Sequence, residues 1–139
     1  MAQHTHRLIR ADNGNTVVEV VRAATNIWSR FVGLQFRSAL PKNQGLLIVP
    51  CSSIHTMFVR FALDVFFLAK DGTVIEVHRD VRPWKIAMPK QRSHAVLETT
   101  AGALDLEAGT QIAIESPADQ LQSSLKFLAG AKKSEATAC

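Results

Sequence analysis

Only two of the 139 residues are cysteine, Cys51 and Cys139, and the second is the final residue. A bridge tying the interior to a loose chain end is a poor structural staple. No disulfide framework is expected, and a reducing compartment fits best. Long apolar runs are also missing, and those present are too short and too interrupted by charge to span a bilayer. The opening MAQHTHRLIRADNGN has no apolar h-region, so no secretory signal is expected. Cys139 stands at the very end rather than four residues from it, so the prenylation pattern is absent. These absences point to a cytoplasmic chain without a membrane anchor. A nucleotide-binding loop, close zinc-type spacing of His and Cys, and a complete catalytic motif are lacking as well. No cofactor is expected, and the balance leans towards a binding module rather than an enzyme.

What is present suits one soluble domain over residues 1–131, followed by a flexible tail over 132–139. Apolar residues make up 47% of the chain and charged ones 20%, ordinary for a globular protein. Sixteen Lys and Arg against twelve Asp and Glu leave a formal charge of +4. The basic residues are dispersed except in RDVRPWKIAMPKQR, Arg79 to Arg92, where they surround one Trp. A nucleic-acid footprint needs a stripe of such residues with aromatics interleaved. A lone basic run is more commonly a solvated loop, so nucleic acid is disfavoured as a partner.

The elements follow from periodicity and turn chemistry. Asp12-Asn13-Gly14-Asn15 joins two short strands, the second running through Thr16 to Val21. Thr25 or Asn26 caps a short helix with Ile27, Phe31 and Leu34 on one face. Leu46 to Val49 is a strand, and Pro50 to Thr56 a loop. Asp64 to Leu68 is apolar after its first residue, and Asp71-Gly72 suits the centre of a type I′ turn leading to Thr73–Arg79. That return strand alternates, although Val74 falls on the side of Glu76 and His78. Pro83 and Pro89 bracket a loop, His94 to Thr99 and Gln111 to Glu115 are strands, and Ser116-Pro117 with Asp119 starts a C-terminal helix over 117–129. Leu121, Leu125 and Leu128 form its apolar stripe.

The ordered motifs Gly33-Leu34-Gln35-Phe36-Arg37, Gly45-Leu46-Leu47, His55-Thr56-Met57, Asp64-Val65-Phe66-Phe67-Leu68, Asp71-Gly72, Pro83-Trp84 and Val96-Leu97-Glu98 before Ala101-Gly102 carry a resemblance. The chain resembles the bacterial and archaeal domain-of-unknown-function family numbered 192, over roughly Arg22 to Ser116. The resemblance implies a mainly β, compact sandwich, jelly-roll-like or barrel-like domain with short helices at its margins. It implies no established activity. Some members carry an export signal or lipobox, which this chain lacks, and the helix after Ser116 lies beyond the shared region.

Asp64 heads the most apolar strand, where an ionised carboxylate needs a partner. Arg60, Arg37 or backbone N–H groups are the expected donors, and one reading has Asp64 pinning the loop at His55–Met57. The functional reading is a polar pocket of Arg37, His55, Arg60 and Asp64 for a small anionic ligand, because the Arg fork bonds carboxylate or phosphate bidentately. Trp84 either lids the core or anchors an interface with a small molecule or protein, the lid being the commoner role. The alternative is a thiol-dependent hydrolase or transferase using Cys51, His55 and Asp64. His55, His78 and His94 with Cys51 make a weak metal set, and Glu98 is either an ion-pair partner or a base.

Overall fold

The computed structural model describes residues 5–24, 40–49, 51, 53–56, 59–116, 121 and 123–129. The strands within them are β1 (Thr5–Arg10), β2 (Thr16–Ala24), β3 (Gln44–Ile48), β4 (Ile54–His55), β5 (Leu63–Leu68), β6 (Val74–Val81), β7 (Ile86–Ala87), β8 (Ala95–Thr100) and β9 (Ile112–Ile114). A 3-10 turn, Ser123–Leu125, runs into the short helix α1 (Lys126–Ala129). The fold is mainly β, as the sequence implies, with one short helix at its end. No described helix is long and apolar enough to cross a membrane.

Seven strands form one mixed sheet in the order β6-β5-β8-β3-β2-β1-β9, and β4 pairs with β7 in a separate two-stranded ribbon. Only β2 and β3 pair in parallel in the described sheet. The large sheet curls until its two ends touch at the bridge between Thr73 and Gln111. There Val74 N–H donates to Thr110 O at 2.8 Å and Ile112 N–H donates to Gly72 O at 3.0 Å. The contact is local, and the sheet is not a closed barrel.

An apolar cluster fills each face of the sheet. Phe66 and Leu68 of β5 join Leu8, Leu47 and Leu97 on one face, which Leu121, Leu125 and Leu128 cover from the C-terminal segment. Leu63, Val65 and Phe67 join Leu46, Ile48 and Val96 on the other, which Ile54 and Ala87 of the ribbon cover. A strand buried on both faces has no wet side, which is why β5 reads as a continuous apolar run. The three leucines of the expected helical stripe are all buried, but only Leu128 lies in the helix; Leu125 ends the 3-10 turn and Leu121 lies in a bend. The described helix itself spans only Lys126–Ala129, and the expected start at Pro117–Asp119 lies outside the described residues. The expected helix after Thr25 lies outside them too.

Two local readings change. The β5–β6 hairpin turns through three residues, not two: Gly72 N–H donates to Ala69 O at 3.0 Å and Ala69 N–H to Thr73 O at 2.9 Å. Gly72 has φ +86, whereas Asp71 is absent from the left-handed residues, so the type I′ geometry does not form. Asp71 instead accepts Thr73 N–H through Oδ1 at 2.9 Å. The second change explains Val74. Leu68 pairs with Val74 but Phe67 pairs with Glu76, so Ile75 is an extra residue in β6. One inserted residue flips the face, placing Val74 in the first cluster and Glu76 on the face of Phe67.

Gly72 is fixed by space as well as by φ. A Cβ there lies 2.4 Å from Ile112 O and 3.2 Å from Leu128 Cδ2, whereas at Gly14, with φ +73, it meets nothing within 4 Å. Gly14→Ala is therefore expected to cost about 1 kcal/mol from backbone strain. Gly72→Ala is expected to cost roughly 3 kcal/mol, because the strand ends must also move apart. Urea unfolding of the two variants checks this difference.

Candidate functional site

The residues singled out by sequence divide between the two faces of the sheet. On β5, Asp64 alternates with Leu63 and Val65 and so shares a face with Phe66. Its side chain is 2% exposed. Arg79 Nη1 donates to Oδ2 at 3.1 Å, Gly102 N–H to Oδ2 at 2.9 Å and Asp80 N–H to Oδ1 at 2.9 Å. Arg79 goes on to donate to Leu104 O and Leu106 O, both at 2.8 Å, and lies over the Phe66 ring. The donors are Arg79 and two backbone N–H groups, the latter a kind of donor the sequence leads one to expect. The carboxylate binds β6 and the turn after β8; Met57, in the loop it was expected to pin, lies outside the described residues.

The ribbon lies on the opposite face. Ile54 pairs with Ala87 and His55 with Ile86. Ile54 and Ala87 are buried in the second cluster, so alternation sets His55 beside Ile86 on the ribbon's other side, where Ile86 is exposed and His55 is half-buried with its Nδ1 shielded from solvent. Cys51 also packs against that cluster, and its Sγ donates to Ser53 O at 3.0 Å. Asp64 therefore does not complete a constellation with Cys51 and His55. His78 engages the Glu76 carboxylate, and His94 packs edge-on against Phe127. Among the described residues no group of three His, Cys, Asp or Glu is placed to hold a metal. Glu98 is fully buried on β8, between Leu46 and Val65, and shares their sheet face.

The residue after His55, Thr56, binds the backbone around Trp84. Its fully buried hydroxyl donates to Arg82 O at 2.6 Å and accepts Lys85 N–H at 2.8 Å. Its carbonyl accepts Trp84 N–H at 3.1 Å, and its N–H donates to Lys85 O at 2.8 Å. This clasp holds Trp84 at φ +65, a conformation unfavourable for a bulky side chain. Trp84 does not lid the core: it is 61% exposed, with Ile86 at 68% and Met88 at 65%. These three are the large exposed apolar side chains among the described residues, and they fall within five positions. The alternation of Trp84, Ile86 and Met88 between Pro83 and Pro89 was the sequence signal for this surface. Arg60 is exposed on the segment that follows Thr56, and Arg37 lies outside the described residues.

A second tether fixes the far end of this segment. Glu76 Oε1 accepts Lys90 N–H at 3.0 Å, and its Oε2 meets His78 Nε2. The Lys90 N–H and the His78 imidazole hold the Glu76 carboxyl below the usual glutamate range. A depressed folded-state pKa gives stability above the unfolded-state value that is lost as pH falls through the folded one. The stability gap between wild type and Glu76→Gln should be present above the ordinary glutamate pKa and close on acidification below it, as read by thermal unfolding across pH. Asp64→Ala removes the buried partner of Arg79 and strands two backbone N–H groups. It is expected to cost about 3 kcal/mol in urea unfolding.

A family model for uncharacterised conserved proteins, domain-of-unknown-function family 192, matches residues 8–114. A protein of Pyrococcus furiosus from the uncharacterised group UPF0127 is 29% identical over 113 residues, covering 76% of this chain and 95% of its own length. A UPF0127 protein of Thermococcus sibiricus is 30% identical over 132 residues, covering 82% and 84%. Two crystal structures share the fold at a TM-score of 0.68. A candidate transcription regulator of Sinorhizobium meliloti is 24% identical, covering 82% of this chain and 96% of its own. A Novosphingobium aromaticivorans protein of unknown function is 19% identical, covering 80% and 90%. With the matched segment extending from β1 to the end of β9, the chain belongs to domain-of-unknown-function family 192.

Proposed function

We propose that this chain is a binding module that docks a protein partner through the outer side of the β4–β7 ribbon, around His55, Trp84, Ile86 and Met88. The observation that carries this reading is the clustering of exposed Trp84, Ile86 and Met88 in one five-residue span. Single exposed apolar residues need no explanation, but a contiguous group rimmed by charge marks an interaction surface. Trp is the side chain that most often anchors such surfaces, and Met adapts to irregular partners. The backbone supports the same reading. A left-handed Trp84 costs on the order of 1–3 kcal/mol, and the Thr56 clasp maintains it without burying the ring.

A small anionic ligand held by His55 and Asp64 together is less well supported, because those side chains occupy opposite faces of the sheet and Asp64 is already bonded to three donors.

A photo-crosslinking amino acid at Ile86, expressed in the native host, should give one discrete adduct that a crosslinker at exposed Glu107 does not. Once that polypeptide is purified, Trp84→Asn should weaken its binding by roughly 10-fold or more, while changing unfolding stability by no more than about 0.5 kcal/mol. Asn tolerates the left-handed backbone, so this variant removes the ring and leaves the turn. A partner bound equally by Trp84→Asn, or no adduct specific to Ile86, would overturn the reading.

A further inference from the structure

We infer that the partner contributes an extended acidic segment that adds as a strand to the open edge of β7; this rests on the docking reading above. Two independent features of the ribbon point to it, one in charge and one in the backbone.

Between Asp80 and Arg92 stand Arg82, Lys85, Lys90 and Arg92 against the single acid Asp80. Four cations against one carboxylate leave a surplus of three in thirteen residues, out of +4 for the entire chain. Arg79 is not part of this surplus, because it is spent on Asp64 and two carbonyls. The apolar group is thus flanked in sequence by an excess of positive charge, with exposed Arg82, Lys85, Lys90 and Arg92 around it, which favours an anionic partner.

The backbone then selects among anionic partners. In an antiparallel pair, residues bonded to the partner strand alternate with residues whose groups point away. Lys85 O accepts Thr56 N–H, and Ile54 and Ala87 lie two positions further along the same ladder. The backbone N–H and C=O of Ile86 therefore face the other edge, and no described strand pairs there. Hydrocarbon leaves such groups unsatisfied at a cost of several kcal/mol each, which disfavours a membrane surface. Nucleic acid stacks on aromatic rings, whereas two of the three exposed side chains here are Ile and Met. A peptide strand satisfies the edge, sets apolar side chains against Ile86 and Met88, and places acids near the basic rim.

The test uses the full chain and a labelled ten-residue peptide alternating glutamate with valine, read by fluorescence anisotropy. Binding is expected to weaken roughly 10-fold or more with glutamine in place of glutamate, with the double variant Lys85→Glu and Arg92→Glu, or between 50 and 500 mM salt. N-methylation of alternate peptide amides should abolish it in one phase and not the other, and the Ile86 amide should gain protection from hydrogen exchange. Equal binding of the glutamine peptide, insensitivity to both methylation phases, or tighter binding to phosphatidylserine vesicles or oligo-dT would overturn the inference. The two proposals fail separately. A crosslinked partner that depends on Trp84 but not on salt or the basic residues removes this inference alone, while loss of the Trp84 dependence removes the docking reading itself.

Discussion

The carboxylate of Asp64 is the interaction on which the ordering of this fold depends. It sits at the start of a strand buried on both faces and is itself 2% exposed. A charge in that position is tolerated only when its acceptor sites are filled. Arg79, Asp80 N–H and Gly102 N–H fill them from β6 and from the turn after β8. One carboxylate thus fixes how the hairpin leaves β5, where β6 kinks, and where the chain turns after β8. The left-handed Asp80, at φ +52, is part of the same arrangement, since its N–H must aim at Oδ1. Beyond this point the chain runs directly into the Thr56 clasp.

That clasp converts core order into a surface. Thr56 is fully buried, and its backbone and hydroxyl together organise residues 82 to 85. Because Ile54 and Ala87 are held in the second cluster, the alternating side chains of the ribbon have only the outward direction left. Exposure of Ile86 follows from burial of Ala87, and the Glu76 tether at Lys90 closes the segment from the other side. The docking surface is therefore supported at both ends, by partly buried hydrogen bonds at Thr56 and by an exposed one at Lys90, a preorganisation that lowers the cost of binding.

Much of the strand order was legible residue by residue. The β-branched run after Gly14 and the apolar run of β5 each announce one element through spacing, and the leucine stripe announces burial of the C-terminal segment. The hairpin at Asp71-Gly72 was legible as a turn but not as a type. Two- and three-residue turns use the same residues, and the difference lies in whether the strands register around Thr73. The misplaced Val74 was visible as an anomaly, yet it becomes a bulge only when β6 is paired against Phe67 and Leu68. For the candidate site, His55 and Trp84 were each visible, and the pairing of their segments was not, because the ladder joins positions about thirty residues apart in the chain.

The sequence by itself determined a mainly β chain, its principal hairpins, its family and the residues that cannot be ordinary core. Those properties depend on local periodicity, turn chemistry and motif order, all of which act over a few neighbours. Only the tertiary structure decided that Asp64 belongs to Arg79, that the sheet curls until Gly72 meets Ile112, and that Trp84 faces solvent. The physical reason is that a buried charge takes whichever donor the fold brings near. An aromatic ring likewise lies inside or outside according to a strand register set far away in the chain.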